Sequence, residues 1–314
     1  MSLIFDLFLN KEYETIKEII FDENFVYPND MIYQENGSKL IHFVCQNGYV
    51  DILKHLFEKK NYNNVIDINE RNNTGYTGLL FACISRHFDT VNYLIKELNA
   101  DINVVNSTNG MSIFHYLCIN NWVDLIRYIV KNKNVDINFK NNLGLNGIHY
   151  AIGADYDEII RFLVEETKYD LHMSDSKCKN KIKYIHVICY SDAIKIMRYI
   201  YPKKIFDLKE EGMFREKRLR AFETGLIDWP NIDTPNYKIL KYFLEECRLN
   251  IEPNKKYNFK VNEYIIKHNE YTKHEKDLTN SLKIYEILLP FLKEKHIVHK
   301  ILKMKKSMEH YESV

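Results

Sequence analysis

Apolar and polar positions recur along this chain in a fixed order. Five stripes carry the helical spacing i, i+1, i+4, i+5: Ile52-Leu53-Lys54-His55-Leu56-Phe57, Thr90-Val91-Asn92-Tyr93-Leu94-Ile95, Leu125-Ile126-Arg127-Tyr128-Ile129-Val130, Ile159-Ile160-Arg161-Phe162-Leu163-Val164 and, one residue shorter, Ile196-Met197-Arg198-Tyr199-Ile200. Each follows a shorter, almost wholly apolar block: Leu40–Cys45, Leu79–Cys83, Ile113–Cys118, Ile148–Ile152 and Ile185–Cys189. Ahead of four blocks stands a turn glycine, Gly37, Gly75, Gly110 or Gly144; Lys181 takes that place in the fifth. These starts are 38, 35, 34 and 37 residues apart. The copies close on Asp67-Ile68-Asn69, Asp101-Ile102-Asn103, Asp136-Ile137-Asn138 and, more loosely, Asp170-Leu171-His172. Segments such as Asn72-Asn73-Thr74-Gly75 follow, in which Asn and Gly are expected to supply the positive φ of tight turns. The unit predicted is turn, short helix, tight connection, second helix, loop.

The copies Gly37–Gly48, Gly75–Cys83, Gly110–Cys118, Gly144–Ile152 and Lys181–Cys189 resemble the ankyrin-repeat family, whose period is about 33 residues around a T-P-L-H-x-A stretch. No copy keeps the proline, and Leu80 stands where the others carry His42, His115, His149 and His186. The resemblance implies an all-α fold, an ankyrin-repeat solenoid of stacked helix-turn-helix units with short hairpin-like turns, degenerate at both ends. A helix pair of this length buries its apolar stripe only by stacking on its neighbours.

The expected organisation is an N-terminal capping repeat over 1–36, five repeats over 37–202, a charged helical insertion over 203–228, and degenerate repeats with capping helices over 229–314. The first of these rests on Thr15–Ile20 as a second-helix stripe, with Phe5 at the His position. The last rests on Ile239–Leu244, Leu282–Leu292 and a basic helix, Lys293–Lys306. That basic amphipathic segment reads either as a solenoid cap or as a docking helix for a membrane or partner groove.

Composition narrows the function. Lys and Arg number 44 against 43 Asp and Glu, a formal charge of +1, which argues against binding specific nucleic acid through phosphate neutralisation. No apolar run approaches the ~18 residues of a membrane span, and Met1–Phe8 reads as a helix rather than a signal peptide because it lacks a basic start. A membrane location is not expected, and a monomer is.

The recurring His42, His115, His149 and His186 could suggest a metal ladder. Helices of adjacent repeats pack ~8–10 Å apart, however, whereas zinc takes ligands at ~2 Å, so a structural role is expected. In the family this His bonds locally and holds the turn. Cys45, Cys83, Cys118 and Cys189 fall three residues after the His position, where the family usually has Ala, and serve as small core residues. Cys178 and Cys247 lack metal-ligand spacing, and unpaired thiols point to a reducing compartment, cytoplasmic or nuclear. No GxGxxG, P-loop, GxSxG or HExxH motif is present; His268 with His274, and His296 with His299, read as solvated helix faces. No cofactor, metal or catalytic residue is expected.

Family resemblance implies a protein partner on the concave face formed by fingers and first helices. The candidate contacts are Asn73, Tyr76, Thr108, Met111, Asn142 and Leu145 on the fingers, with Gln46, Asn47, Ser85, Asn120 and Tyr190 at helix ends. Tyr76, Met111 and Leu145 share the post-glycine position. They form either a solvent-open apolar column or side chains folded back onto their own fingers. The function expected is a non-catalytic adaptor or scaffold. The alternative is a substrate receptor of a ubiquitin-ligase-type complex, with residues 256–314 as docking segment. A catalytic activity within 203–314 has no motif behind it.

Overall fold

The computed structural model describes residues 3–58, 62, 65–171, 184–205, 211–214, 217–220 and 242. The predicted units form as helix pairs. An opening pair, α1 (Leu3–Asn10) and α2 (Tyr13–Phe21), precedes α3 (Leu40–Asn47) with α4 (Val50–Glu58). Next come α5 (Gly78–Ile84) with α6 (Phe88–Lys96) and α7 (Ile113–Ile119) with α8 (Val123–Asn132). The pairs α9 (Gly147–Gly153) with α10 (Asp157–Glu166) and α11 (Tyr184–Tyr190) with α12 (Ile194–Ile200) complete the series. No helix among the described residues is long and apolar enough to cross a membrane.

The first helices α3 and α5 are buried on nearly all sides because each is packed between a predecessor and a successor: α3 touches α1 and α5, and α5 touches α7. Leu40 to Cys45 and Ile113 to Cys118 are therefore buried throughout. Second helices bury one stripe only, such as Leu125, Ile126 and Ile129 on α8, and keep charge on the other side. There, Lys54 lies 5.6 Å from the Tyr93 ring centroid, Lys96 lies 5.3 Å from Tyr128 and Arg127 lies 4.9 Å from Phe162. These contacts link successive second helices, each at about 0.5–1 kcal/mol for exposed cation–π pairs.

The connection inside each pair is left-handed: Gly48, Arg86, Asn121, Asp155 and Asp192 all have positive φ. In the fingers, positive φ falls to Gly37, Gly75, Gly110 and Gly144 and not to the neighbouring asparagines. The asparagines' expected role changes accordingly, since they act as hydrogen-bond acceptors that close Asx-type turns.

Packing divides the chain into two units, Met1–Ala151 with Glu158–Leu163, and Ile152–Asp157 with Val164–Val314. In the second unit, the carboxylate of Asp155 accepts from the amides of Lys195 and Ile196, both at 3.0 Å, and so caps α12. Glu165 accepts from the Tyr199 hydroxyl at 3.0 Å and from Lys203 at 2.7 Å.

The charged insertion departs from its helical expectation. β1 (Glu211–Phe214) pairs antiparallel with β2 (Lys217–Arg220), with Glu211 opposite Arg220 and Phe214 opposite Lys217. Gly212 disfavours a helix by about 1 kcal/mol relative to Ala, and the two residues between the strands are the commonest hairpin spacing. Apart from Tyr242, the expected repeats, capping helices and docking segment within 229–314 lie outside the described residues, as do Cys178, Cys247, His268, His274, His296 and His299.

Candidate functional site

The fingers are built on three buried asparagines, Asn72, Asn106 and Asn141. Asn72 Oδ1 accepts from the amides of Thr74 and Tyr76 at 3.1 and 2.9 Å. Asn141 Oδ1 accepts from Leu143 and Leu145, both at 3.0 Å, and Asn106 Oδ1 accepts from Thr108 at 2.9 Å. The amide nitrogens reach outward: Asn106 Nδ2 donates to the Tyr116 hydroxyl at 2.7 Å, and Asn141 Nδ2 to that of Tyr150 at 2.7 Å. These two fingers are thereby tied to their own first helices.

Fingers are also tied to one another. The Asn73 amide donates to the Asn36 carbonyl at 2.9 Å, and the Asn142 amide to the Asn109 carbonyl at 3.1 Å. Asn72 Nδ2 donates to Ser38 at 3.0 Å, Ser107 donates to the Thr74 carbonyl, and the Tyr76 hydroxyl donates to Asn106 Oδ1 at 2.9 Å. A frame fixed at this many points holds exposed side chains with little left to order on binding.

The histidines complete the frame. His42 Nδ1 accepts from the Lys39 amide at 2.9 Å, and its Nε2–H donates to the Glu70 carbonyl at 3.1 Å. His115 Nδ1 accepts from the Ser112 amide at 3.1 Å, and its Nε2–H donates to the Leu145 carbonyl at 2.9 Å. Both nitrogens of each ring are committed, so neither has a lone pair for a metal. Burial lowers the pKa of His42 and His115, and it brings His149 down to about 4 with the neighbouring Lys140 charge adding to the effect. Where Leu80 replaces His, Thr77 caps α5 by accepting from the Leu80 amide at 3.3 Å. The side chain of His186 lies outside the described residues.

The thiols of Cys45, Cys83 and Cys118 are fully buried, and desolvation pushes all three well above the ordinary range; that of Cys189 is pushed up to about 12. A thiol so raised is neither a nucleophile nor a metal ligand at neutral pH. No cluster of three or more His, Cys, Asp or Glu suited to a metal occurs among the described residues.

The candidate contacts divide into two sets. Asn73, Thr108 and Asn142 are exposed on the fingers, and Gln46 is exposed at the end of α3. Asn47, Ser85 and Asn120 are half-buried, with the Asn120 side chain donating to the Cys83 carbonyl at 2.9 Å. The side chain of Tyr190 lies outside the described residues. The solvent-open column does not form, because Met111 is only 7% exposed. Tyr76 is half-buried against Phe81, with ring centroids 5.2 Å apart, and Leu145 is half-buried as well. The apolar residue that does stand out is Leu143 at the finger tip, 75% exposed, which the post-glycine pattern overlooked. Phe81, Tyr116 and Tyr150 were also overlooked. They hold the position after the His in successive first helices, and that regular recurrence of aromatic residues was the available signal.

The family of ankyrin repeats, in three copies, matches residues 6–106 and 98–175. No curated protein matches the sequence. Among solved structures, the complex of the predatory endopeptidase Bd0816 from Bdellovibrio bacteriovorus with immunity protein Bd3460 contains a chain similar over 65% of this one and 99% of its own length. The two are 22% identical with a TM-score of 0.50, a likeness of fold. Repeats of this family are interaction modules that bind proteins. With more than half its length matched by that family, this chain belongs to the ankyrin-repeat family.

Proposed function

We propose that this protein is a non-catalytic adaptor that binds another protein across its fingers and first helices. The observation that carries this reading is the division of labour among finger residues. Asn72, Asn106, Asn141 and the histidines are consumed in holding the frame, while Asn73, Thr108, Asn142 and Leu143 stand exposed on it. Exposed groups on a pre-ordered scaffold lose little conformational entropy when bound.

The test is affinity capture with the full chain, in parallel with two variants. One carries Asn73→Ala, Thr108→Ala and Leu143→Ser on the fingers; the other carries Lys54→Ala and Lys96→Ala on the second helices. A protein held by the wild type and by the second-helix variant, but released by the finger variant at unchanged melting temperature, supports the reading. Retention by the finger variant sinks it.

A further inference from the structure

Where one repeat stacks on another, the second helix meets its predecessor through four recurring positions. The first lies in the tight connection and carries a ring. Tyr49 packs edge-on against Tyr13 with centroids 4.9 Å apart, Trp122 packs against Phe88 at 5.6 Å, and His87 Nε2–H donates to the Gln46 carbonyl at 2.9 Å. The second position holds Ile52, Thr90 and Leu125, and the fourth holds Leu56, Leu94 and Ile129; all six are completely buried. The third carries a ring again. His55 stacks on Phe21 with centroids 3.9 Å apart, while Tyr93, Tyr128 and Phe162 lie under the cations of Lys54, Lys96 and Arg127 from the helix before.

At α2 the same four positions read Glu12, Thr15, Glu18 and Ile19, and all four are exposed. Carboxylates thus stand at both places where a ring meets the preceding repeat elsewhere. Neither Glu12 nor Glu18 has an ion-pair partner among the described residues, and Lys17, the basic residue of α2, is engaged by Asp51 at 2.9 Å. Eight Asp and Glu against two Lys over residues 1–36 make the whole end negative. Solubility alone asks only for a polar end, of either sign. Here the stacking aliphatic is retained, with Ile19 36% exposed where Leu56, Leu94 and Ile129 are 0%, and both ring positions take the same sign.

We propose that this face of α2 docks a basic amphipathic helix of a protein partner, seated as a preceding repeat would be. Its apolar stripe covers Thr15 and Ile19, and its Lys or Arg side chains reach Glu12 and Glu18. The face continues the series of joints already formed by α2 with α4 and by α4 with α6. Its charge names the occupant. A cation over Tyr93 or Tyr128 is drawn by a ring quadrupole, whereas a carboxylate in that place offers a full opposite charge. A second copy docked symmetrically through the same face would bring like charges together. Negative charge likewise turns away nucleic acid and anionic lipid. No finger residue takes part, so this surface is additional to the one in the adaptor reading.

The experiment measures binding of a labelled synthetic amphipathic helix of leucine and lysine to the full chain, beside the same helix with glutamate for lysine. The lysine helix should bind with an affinity that falls as salt rises, because screening acts on charge pairs, and the glutamate helix should not bind. Glu12→Lys with Glu18→Lys should weaken the lysine helix by about tenfold, as two exposed attractions become repulsions. Ile19→Ser should weaken it by about fivefold through lost apolar contact while keeping the salt dependence. These positions are exposed, so melting temperatures should hold. The finger variant Asn73→Ala, Thr108→Ala and Leu143→Ser should bind the lysine helix like the wild type. Absence of binding overturns the proposal, as does equal affinity in the charge-reversed variant at an unchanged melting temperature. A matching loss in the finger variant overturns it by moving the probe to the fingers. Self-association of the wild type that disappears on charge reversal overturns it in favour of a second copy.

Discussion

The Nε2–H of His115 donates to the carbonyl of Leu145 across the joint between two repeats, at 2.9 Å, while Nδ1 of the same ring caps its own helix through the Ser112 amide. One side chain therefore fastens both a helix start and the following finger. His115→Ala is expected to lower the unfolding free energy by about 1–3 kcal/mol, the cost of stranding buried partners, and to leave partner affinity mostly intact. Urea titration beside a binding isotherm checks this. A large affinity loss with an unchanged denaturation curve contradicts it.

Acid should loosen the same fastenings. The pKa values of His42, His115 and His149 are lowered by burial, that of His149 to about 4. The unfolded chain, with histidines near 6.5, binds more protons than the fold through this window. Their contribution is present in full above about pH 6.5, declines as pH falls, and for His149 is spent near pH 4. Protonation at Nδ1 would also turn the acceptor of the Ser112 amide into a donor. Denaturant midpoints at pH 7.5, 6 and 5 should fall in that order, and a flat profile refutes the assignment.

Three glycines on helices should not respond alike to alanine. A Cβ at Gly78 would stand 2.8 Å from Cys45 Sγ, and one at Gly147 would stand 2.7 Å from the Phe114 ring. At Gly153 it would meet nothing within 4 Å. Alanine's helix preference is worth about 1 kcal/mol, and overpacking a tight core costs about 1–3. Gly78→Ala and Gly147→Ala should therefore lower the melting temperature, while Gly153→Ala should hold or raise it. Thermal melts of the three variants decide the matter.

Thiol chemistry offers a probe of opening. Cys45, Cys83, Cys118 and Cys189 are buried with raised pKa values, so in the native protein they should resist alkylation at pH 8 and react only after denaturation. Mass mapping of labelled peptides with and without urea checks this. Rapid native labelling of Cys118 would show that α7 is not held between its neighbours.

The fold was legible because stacking leaves a mark in sequence: first helices packed on both sides are apolar throughout, second helices keep one stripe, and turns need glycine. The histidine role was legible for the same reason, through recurrence at one position. The Asn106–Tyr116 and Asn141–Tyr150 bonds were not, because partners ten and nine residues apart follow no single helical or strand period. Met111 looked like an exposed finger residue because position alone does not tell which way a side chain turns. The insertion read as helical from its charge, although Gly212 and the close spacing of its two halves favoured strands.

At Gly110, with φ +72°, an added Cβ would fall 2.3 Å from Asn142 Oδ1 of the following finger, and at Gly37 the corresponding distance to Asn73 Oδ1 is 2.4 Å. At Gly75 the nearest atoms belong to Ser107 and lie at 3.7 Å. The joints are thus not alike, and each copy is fitted to the particular copy that comes next. A module lifted from one place and spliced into another would carry the right silhouette but the wrong edge, so the order of the copies is itself written into the protein.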